Sequence, residues 1–121
     1  MKHLVLFAMG LLSFLGLQAA NYQSVDVPTF AQLLQDTTVC RLDVRTAAEY
    51  AEGHIEGSTC IDVTQPDFME RVLATIPKST TVALYCRSGR RSKRAAALLA
   101  DAGYTVVELK TGYLGWLQAQ R

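Results

Sequence analysis

From Tyr22 onward the chain alternates short apolar runs with stretches whose apolar residues recur at helical spacing, and that alternation admits few folds. Residues 23–26 read as a short extended piece leading to Pro28, which suits a first helical turn, with Phe30, Leu33 and Leu34 on one face behind it. Residues 39–44 form the next strand. Thr46 and Glu49 then stand in a capping-box relation, which predicts a short helix over residues 47–51 that Gly53 stops. Residues 60–63 read as a third strand, and Phe68, Met69, Val72 and Leu73 predict a helix within residues 66–76, ended by Pro77. A fourth strand covers residues 81–85. Ala95, Leu98 and Leu99 make one face of the strongest helix, which Gly103 terminates. Residues 104–109 are a fifth strand and residues 114–119 a closing helix. Strands joined by helices need crossover connections, so the expected fold is α/β: a five-stranded, mainly parallel sheet with helices on both faces.

Cys86 stands at the end of the fourth run, where such sheets bind ligands beyond the carboxyl ends of their strands. It opens the turn Arg87, Ser88, Gly89, Arg90, Arg91, Ser92, after which the sequence becomes helical. Turn amides and the positive end of a helix converge there on one small volume and favour an anion. Such surroundings lower a cysteine pKa from about 8.5 to roughly 3.5–7.5, which makes a nucleophile at neutral pH. A lone cysteine without that context is a small buried hydrophobe. The arginines at 87, 90 and 91 decide against that reading, because a purely structural turn does not require them. Cys86 is therefore the expected catalytic group, with Arg87, Ser88, Gly89, Arg90 and Arg91 as its substrate-binding loop.

Residues 1–20 read differently. Lys2 and His3 precede an uncharged apolar run over residues 4–17, and Ala19 and Ala20 follow, which is the pattern of a secretory signal peptide. The run is shorter than the ~20 apolar residues of a membrane span and lacks a basic stop-transfer flank. The expected organisation is a signal peptide over residues 1–20 and one domain over residues 21–121, exported, for instance to the periplasm. The chain carries 12 Lys and Arg against 11 Asp and Glu. Loss of Lys2 with the signal balances them, which argues against nucleic acid or an anionic membrane as a main partner. Cys40, Cys60 and Cys86 lie far apart and His54 is the only histidine after the signal, so no metal and no cofactor is expected. An odd cysteine count in an exported protein leaves one pair plus one free thiol, or three free thiols, with Cys86 free in either case.

Two further segments carry a resemblance. Residues 42–50 (Leu-Asp-Val-Arg-Thr-Ala-Ala-Glu-Tyr), followed by residues 53–58 (Gly-His-Ile-Glu-Gly-Ser), resemble the amino-proximal signature of the rhodanese family. Residues 103–107 (Gly-Tyr-Thr-Val-Val), with Gly112 and Trp116, are similar to that family's carboxyl-proximal pattern, although Thr111 replaces the first glycine of its usual pair. Resemblance to single-domain rhodaneses implies a three-layer sandwich and a thiosulfate sulfurtransferase in which Cys86 carries sulfane sulfur as a persulfide. It implies thiosulfate as a small anionic donor and cyanide or a thiol as acceptor; a small domain with an open active loop is expected to work as a monomer.

The family's active loop has six residues, here 86–91, whereas phosphatases and arsenate reductases of the same fold use one more residue and place their arginine where Ser92 stands. A shorter ring of amides suits a terminal sulfur better than a tetrahedral oxyanion. Arg87 matches a position that is basic in thiosulfate-using relatives, while Ser88 departs from the lysine that some of them carry next. A persulfide carrier serving a protein acceptor is the alternative function, and a phosphatase or arsenate reductase the third. Asp43, Arg45, Glu49 and His54 read as structural, with Arg45 paired to a carboxylate and His54 bonded to backbone. Trp116 reads as core packing. Cys40 and Cys60 begin strands that are neighbours in the rhodanese fold, so a disulfide between them stays open in an oxidising compartment.

Overall fold

Val82, Ala83, Leu84 and Tyr85 are all fully buried, so the strand they form must be covered on both faces. In the computed structural model, which describes residues 21–121, that strand is the centre of a five-stranded sheet. The signal-peptide reading of residues 1–20 lies outside the described residues. The chain runs β1 (Gln23–Val25), α1 (Val27–Leu33), β2 (Cys40–Asp43), α2 (Ala47–Glu52), β3 (Thr59–Cys60), α3 (Phe68–Thr75), β4 (Thr81–Tyr85), α4 (Arg90–Asp101), β5 (Thr105–Leu109) and α5 (Gly112–Ala119). The sheet order is β1-β5-β4-β2-β3 and every described pairing is parallel.

Two cores follow from the alternation of side chains along β4. Val82, Leu84 and Cys86 face α3 and α4 and pack with Leu42, Val72, Leu99 and Val106. Ala83 and Tyr85 face the other way and pack with Phe30, Leu34, Ile55 and Leu109, where α1 and α5 close the layer. The result is the expected three-layer α/β sandwich. Connections leave β2 toward β3 and β4 toward β5, in opposite directions along the sheet. The gap between β2 and β4 is thus the topological switch point, and Cys86 stands at its carboxyl end.

Several sequence expectations need correction. The third strand is only Thr59–Cys60. Ile61 and Val63 still donate to the carbonyls of Asp43 and Val44, at 3.0 and 3.1 Å, but the Asp62 carboxylate then caps Thr64 and turns the chain away. Leu73 and Leu98 are exposed rather than core-facing. The stripe α4 buries is Ser92, Ala95, Ala96 and Leu99, which obeys the same helical spacing one residue round. Helix α5 starts at Gly112, two residues early, because the amides of Tyr113 and Leu114 find carbonyl partners in the cysteine turn. Thr111 sits at φ −98°, so no glycine is required there, and Gly115 leaves room for its side chain.

The disulfide alternative is overturned by register. Asp43 lies opposite Cys60, so Cys40 is three residues, about 10 Å of strand, out of step. That exceeds the ~7 Å Cα separation a disulfide tolerates, and all three thiols are free.

Candidate active site

The strand that delivers Cys86 is braced before the turn begins. The Tyr85 hydroxyl accepts from the Ile55 amide and donates to Ser58 Oγ, both at 3.0 Å, and burial pushes its pKa up so that it stays a donor. The next residue, Cys86, is 1% exposed with its sulfur on the opposite face. Its carbonyl and that of Arg87 accept from the amides of Tyr113 and Leu114, at 2.8 and 3.0 Å, so α5 holds the outer rim of the turn. Gly89, at φ +109°, caps α4 in a conformation that L side chains rarely adopt, and a Cβ there would collide with the Lys110 carbonyl. Gly112, at φ +66°, lets the α5 backbone come equally close to the Arg87 carbonyl.

Inside this rim the sulfur accepts from the Gly89 amide at 3.1 Å and lies 3.4 Å from Ser92 Oγ. Burial alone raises the Cys86 thiol pKa, but the Ser92 hydroxyl and the amides of Ser92, Gly89 and Ser88 outweigh it, and the net direction is down. The other two thiols go the opposite way, because burial pushes up both Cys40 and Cys60. Of the three, only Cys86 is tuned toward the thiolate.

The arginines of the turn divide. Arg87 and Arg90 are exposed to solvent, Arg87 on the turn and Arg90 at the first residue of α4. Arg91 is half-buried and its guanidinium is taken bidentately by Glu49 of α2, at 2.8 and 2.9 Å. Those bonds, against burial and with help from the Thr46 amide, hold the Glu49 carboxyl down to about 2. Glu49 also closes the expected capping box with Thr46, so it ties the β2 turn to the β4 turn. Arg45 forms a buried ion pair with Asp43 at 2.7 Å, donates to the Gly53 carbonyl, and lies 4.5 Å over the Tyr113 ring. His54 Nδ1 sits 2.8 Å from the Tyr50 carbonyl, in keeping with a structural role.

A cleft of about 390 Å³ opens beside Arg87 between α2 and α5, walled by Glu49, Glu52, Tyr113, Leu114 and Leu117. An opening of similar size, about 410 Å³, lies at the amino ends of β1 and β5 and carries no nucleophile. Sequence reasoning missed two residues of the site. Ser92 entered only as the place where a longer loop would carry its arginine, yet it is the sulfur's one side-chain partner. Glu108, fully buried, accepts from Ser92 Oγ at 2.6 Å. Its available signal was a carboxylate in the apolar run from Val106 to Leu109 of an interior strand.

A cysteine pushed toward its thiolate in a tight turn, at the switch point of a parallel three-layer sandwich, places the chain among α/β proteins that present a cysteine-centred anion site. The chain belongs to the rhodanese-like domain family, which matches residues 26–119. It is 36% identical over 94 residues to a sulfurtransferase of Allochromatium vinosum, covering 76% of this chain and 85% of that one. It is 37% identical over 68 residues to thiosulfate sulfurtransferase PspE of Escherichia coli K12, covering 55% of this chain and 64% of that one. Among solved structures, the rhodanese-like domain of an Anabaena protein superposes with a TM-score of 0.71 at 27% identity, covering 79% of this chain and 74% of that one. Sulfur transfer is the reaction class these relationships support.

Proposed function

We propose that the protein is a thiosulfate sulfurtransferase that works through a Cys86 persulfide. The observation that carries the reading is the opposed tuning of the thiols: Cys86 is lowered within a ring of amides while Cys40 and Cys60 are raised. The thiolate attacks the outer sulfur of thiosulfate, a new S–S bond forms, and the bond to the sulfonate sulfur breaks as sulfite leaves with the electron pair. The persulfide keeps one negative charge on its terminal sulfur, which the turn's amides can hold. Cyanide then attacks that sulfur and departs as thiocyanate, or a thiolate acceptor departs as its own persulfide, and either returns Cys86 as thiolate. No proton moves in either half-reaction if the thiolate is preformed, so no general base is required. Arg87, which lines the cleft, and Arg90, exposed at the start of α4, are assigned to drawing in the dianion, with Ser88 and Gly89 supplying amides. Arg91, whose guanidinium is engaged by Glu49, is assigned a field and positioning role rather than direct contact.

The test is mass spectrometry after thiosulfate treatment. One added sulfur on the peptide containing Cys86 is expected, and an unmodified Cys86 with modification elsewhere removes the role. A persulfide carrier serving a protein thiol is the second reading, favoured by the exposed Leu114 and Leu117 on the cleft beside Arg87. Slow cyanide turnover with rapid transfer from the persulfidated protein to a thiol acceptor would select it. We further assign residues 1–20 as a removed signal peptide, residues 21–121 as the working domain, an exported and monomeric form, and a periplasmic site of action. The basis is the apolar run behind Lys2. No helix among the described residues is long and apolar enough to cross a membrane. The amino-terminal sequence and sedimentation mass of the protein recovered from cells check these points.

A further inference from the structure

Three donors converge on the buried carboxylate of Glu108. Ser24 Oγ of β1 donates to Oε1 at 2.5 Å, while Ser92 Oγ and Lys93 Nζ of α4 reach Oε2 at 2.6 and 3.3 Å. Register explains the meeting: Ser24 lies directly opposite Glu108 on one side, and Leu84 of β4 lies opposite on the other and brings no charge. The first turn of α4 then sets Ser92 between Glu108 and the cysteine. A hydroxyl has one proton: here it goes to Glu108 Oε2 at 2.6 Å while the Cys86 thiol donates to Ser92 Oγ at 3.4 Å, and once the thiol ionises its sulfur becomes a second acceptor for that same proton. While the proton points at Glu108, Ser92 offers sulfur only lone pairs, which suit a thiol and not a thiolate. Turned toward sulfur, it stabilises the thiolate, and Glu108 is left with Ser24 and Lys93.

We propose that Glu108 is a positioning residue for Cys86: its carboxylate competes with the sulfur for the single hydroxyl proton of Ser92, and so sets how readily Cys86 ionises. The proposal rests on Cys86 being the reacting sulfur. Through the cycle no bond to hydrogen breaks; a hydroxyl rotates. The thiolate draws the Ser92 proton to itself. Once an outer sulfur is attached, Sγ becomes a neutral bridging atom and a poor acceptor, so the proton returns to Glu108 as charge moves out to the terminal sulfur. Ser92 pushes the Cys86 thiol down through both its hydroxyl and its backbone amide, and only the hydroxyl's share depends on which way its proton points. The charges around the pair are Lys93 at Glu108, and Arg91 with its partner Glu49 of α2 near Cys86. On the remaining sides, β1 presents neutral Ser24, β4 neutral Leu84, and α5 backbone amides.

The test is the rate of Cys86 alkylation by iodoacetamide against pH, read on the Cys86 peptide so that Cys40 and Cys60 are counted apart. Glu108→Gln should lower the midpoint by about half to one pH unit, roughly three- to tenfold more thiolate on its acid side. Ser24→Ala, which changes no charge, should raise the midpoint by a few tenths, because Glu108 then holds the Ser92 proton harder. Ser92→Ala should raise it as well and cut the Glu108→Gln shift to less than half. An unchanged midpoint in folded Glu108→Gln overturns the proposal, and so does a shift that survives at full size in the Ser92→Ala background, since that is charge acting through space. If Glu108→Gln does not fold, Ser24→Ala decides, and an unmoved midpoint there is equally fatal. These midpoints need no sulfur donor, so a wild-type protein that never takes sulfur from thiosulfate sinks the functional reading while leaving this test standing.

Discussion

Two strand-to-helix turns lie side by side at the carboxyl edge of the sheet, one after β2 and one after β4, and they solve the same problem in opposite ways. After β2, Asp43 accepts from the amide and guanidinium of Arg45. Thr46 caps the Glu49 amide, and Glu49 returns the bond to the Thr46 amide, so α2 starts with its donors satisfied by its own residues. After β4, no side chain caps α4, the first turn carries no acid, and Gly89 stands at the N-cap. Its amide goes to the Cys86 sulfur instead. The first turn is finished and inert toward anions. The second keeps its donors for an anion, and the sulfur occupies the place a capping oxygen would take. What separates the turns is which donors each leaves unpaired more than how much charge it carries, since both contain arginine.

The sharpest way to break the contrast is Cys86→Ser. A hydroxyl keeps the geometry but neither ionises nor accepts sulfur there, so transfer from thiosulfate to cyanide should fall by about a thousandfold or more, some 4 kcal/mol of barrier. Retained turnover in a steady-state assay would move the reaction to another group. Next in size is Asp43→Ala in the inert turn. It strands Arg45, which is 4% exposed, and should lower stability in urea unfolding by about 3–5 kcal/mol. In the protein that remains folded, the Cys86 alkylation midpoint should hardly move. A large midpoint shift with little loss of stability would mean the two turns are not separable in this way.

Gly89→Ala attacks the open turn itself. The added Cβ meets the Lys110 carbonyl at a φ of +109°, so a loss of about 2–3 kcal/mol is expected together with a higher Cys86 midpoint. Unchanged activity and stability would show that the turn does not need glycine at that point. The smallest effect belongs to Glu49→Gln, which cuts the tie between the turns and should cost about 1 kcal/mol at neutral pH. Its pH dependence has a definite sign. The folded carboxyl is depressed from 4.5 to about 2, so its contribution is complete above about 4.5 and drains away as pH falls toward 2. Urea midpoints of the wild type should therefore fall more steeply than those of Glu49→Gln across that window, and parallel slopes would show that the ion pair adds nothing.

Much of the molecule is legible in its local sequence. The capping box at Thr46 and Glu49, the glycine stops and the strand ending at Cys86 are local features, decided by residues within about one helical turn of each other. The errors share a cause as well. Leu73 and Leu98 fit an apolar stripe, yet which side of a helix meets the sheet is settled by the helix's rotation against strands far away in sequence. The third strand shortened because Asp62 found Thr64, a competition between turn and ladder that composition does not rank. Cys40 and Cys60 were expected on neighbouring strands and are found there, but a register three residues out of step keeps their sulfurs apart.

The order of strands and helices, the two-sided burial of the central strand and the position of a cysteine at its carboxyl end were set by the sequence alone, because hydrophobic periodicity and turn chemistry act over a few residues. The placement of Ser92 between Cys86 and Glu108, the bond from Arg91 to Glu49, and the seating of α5 on the turn's carbonyls were decided only by tertiary structure. Apart from the contact of Ser92 with Cys86, six residues away, these join groups 16 to 42 residues apart, or rely on the parallel register that brings Ser24 to Glu108. Hydrogen bonds and ion pairs depend on ångström-scale distance and direction, and no pattern along the chain encodes those until the sheet has closed.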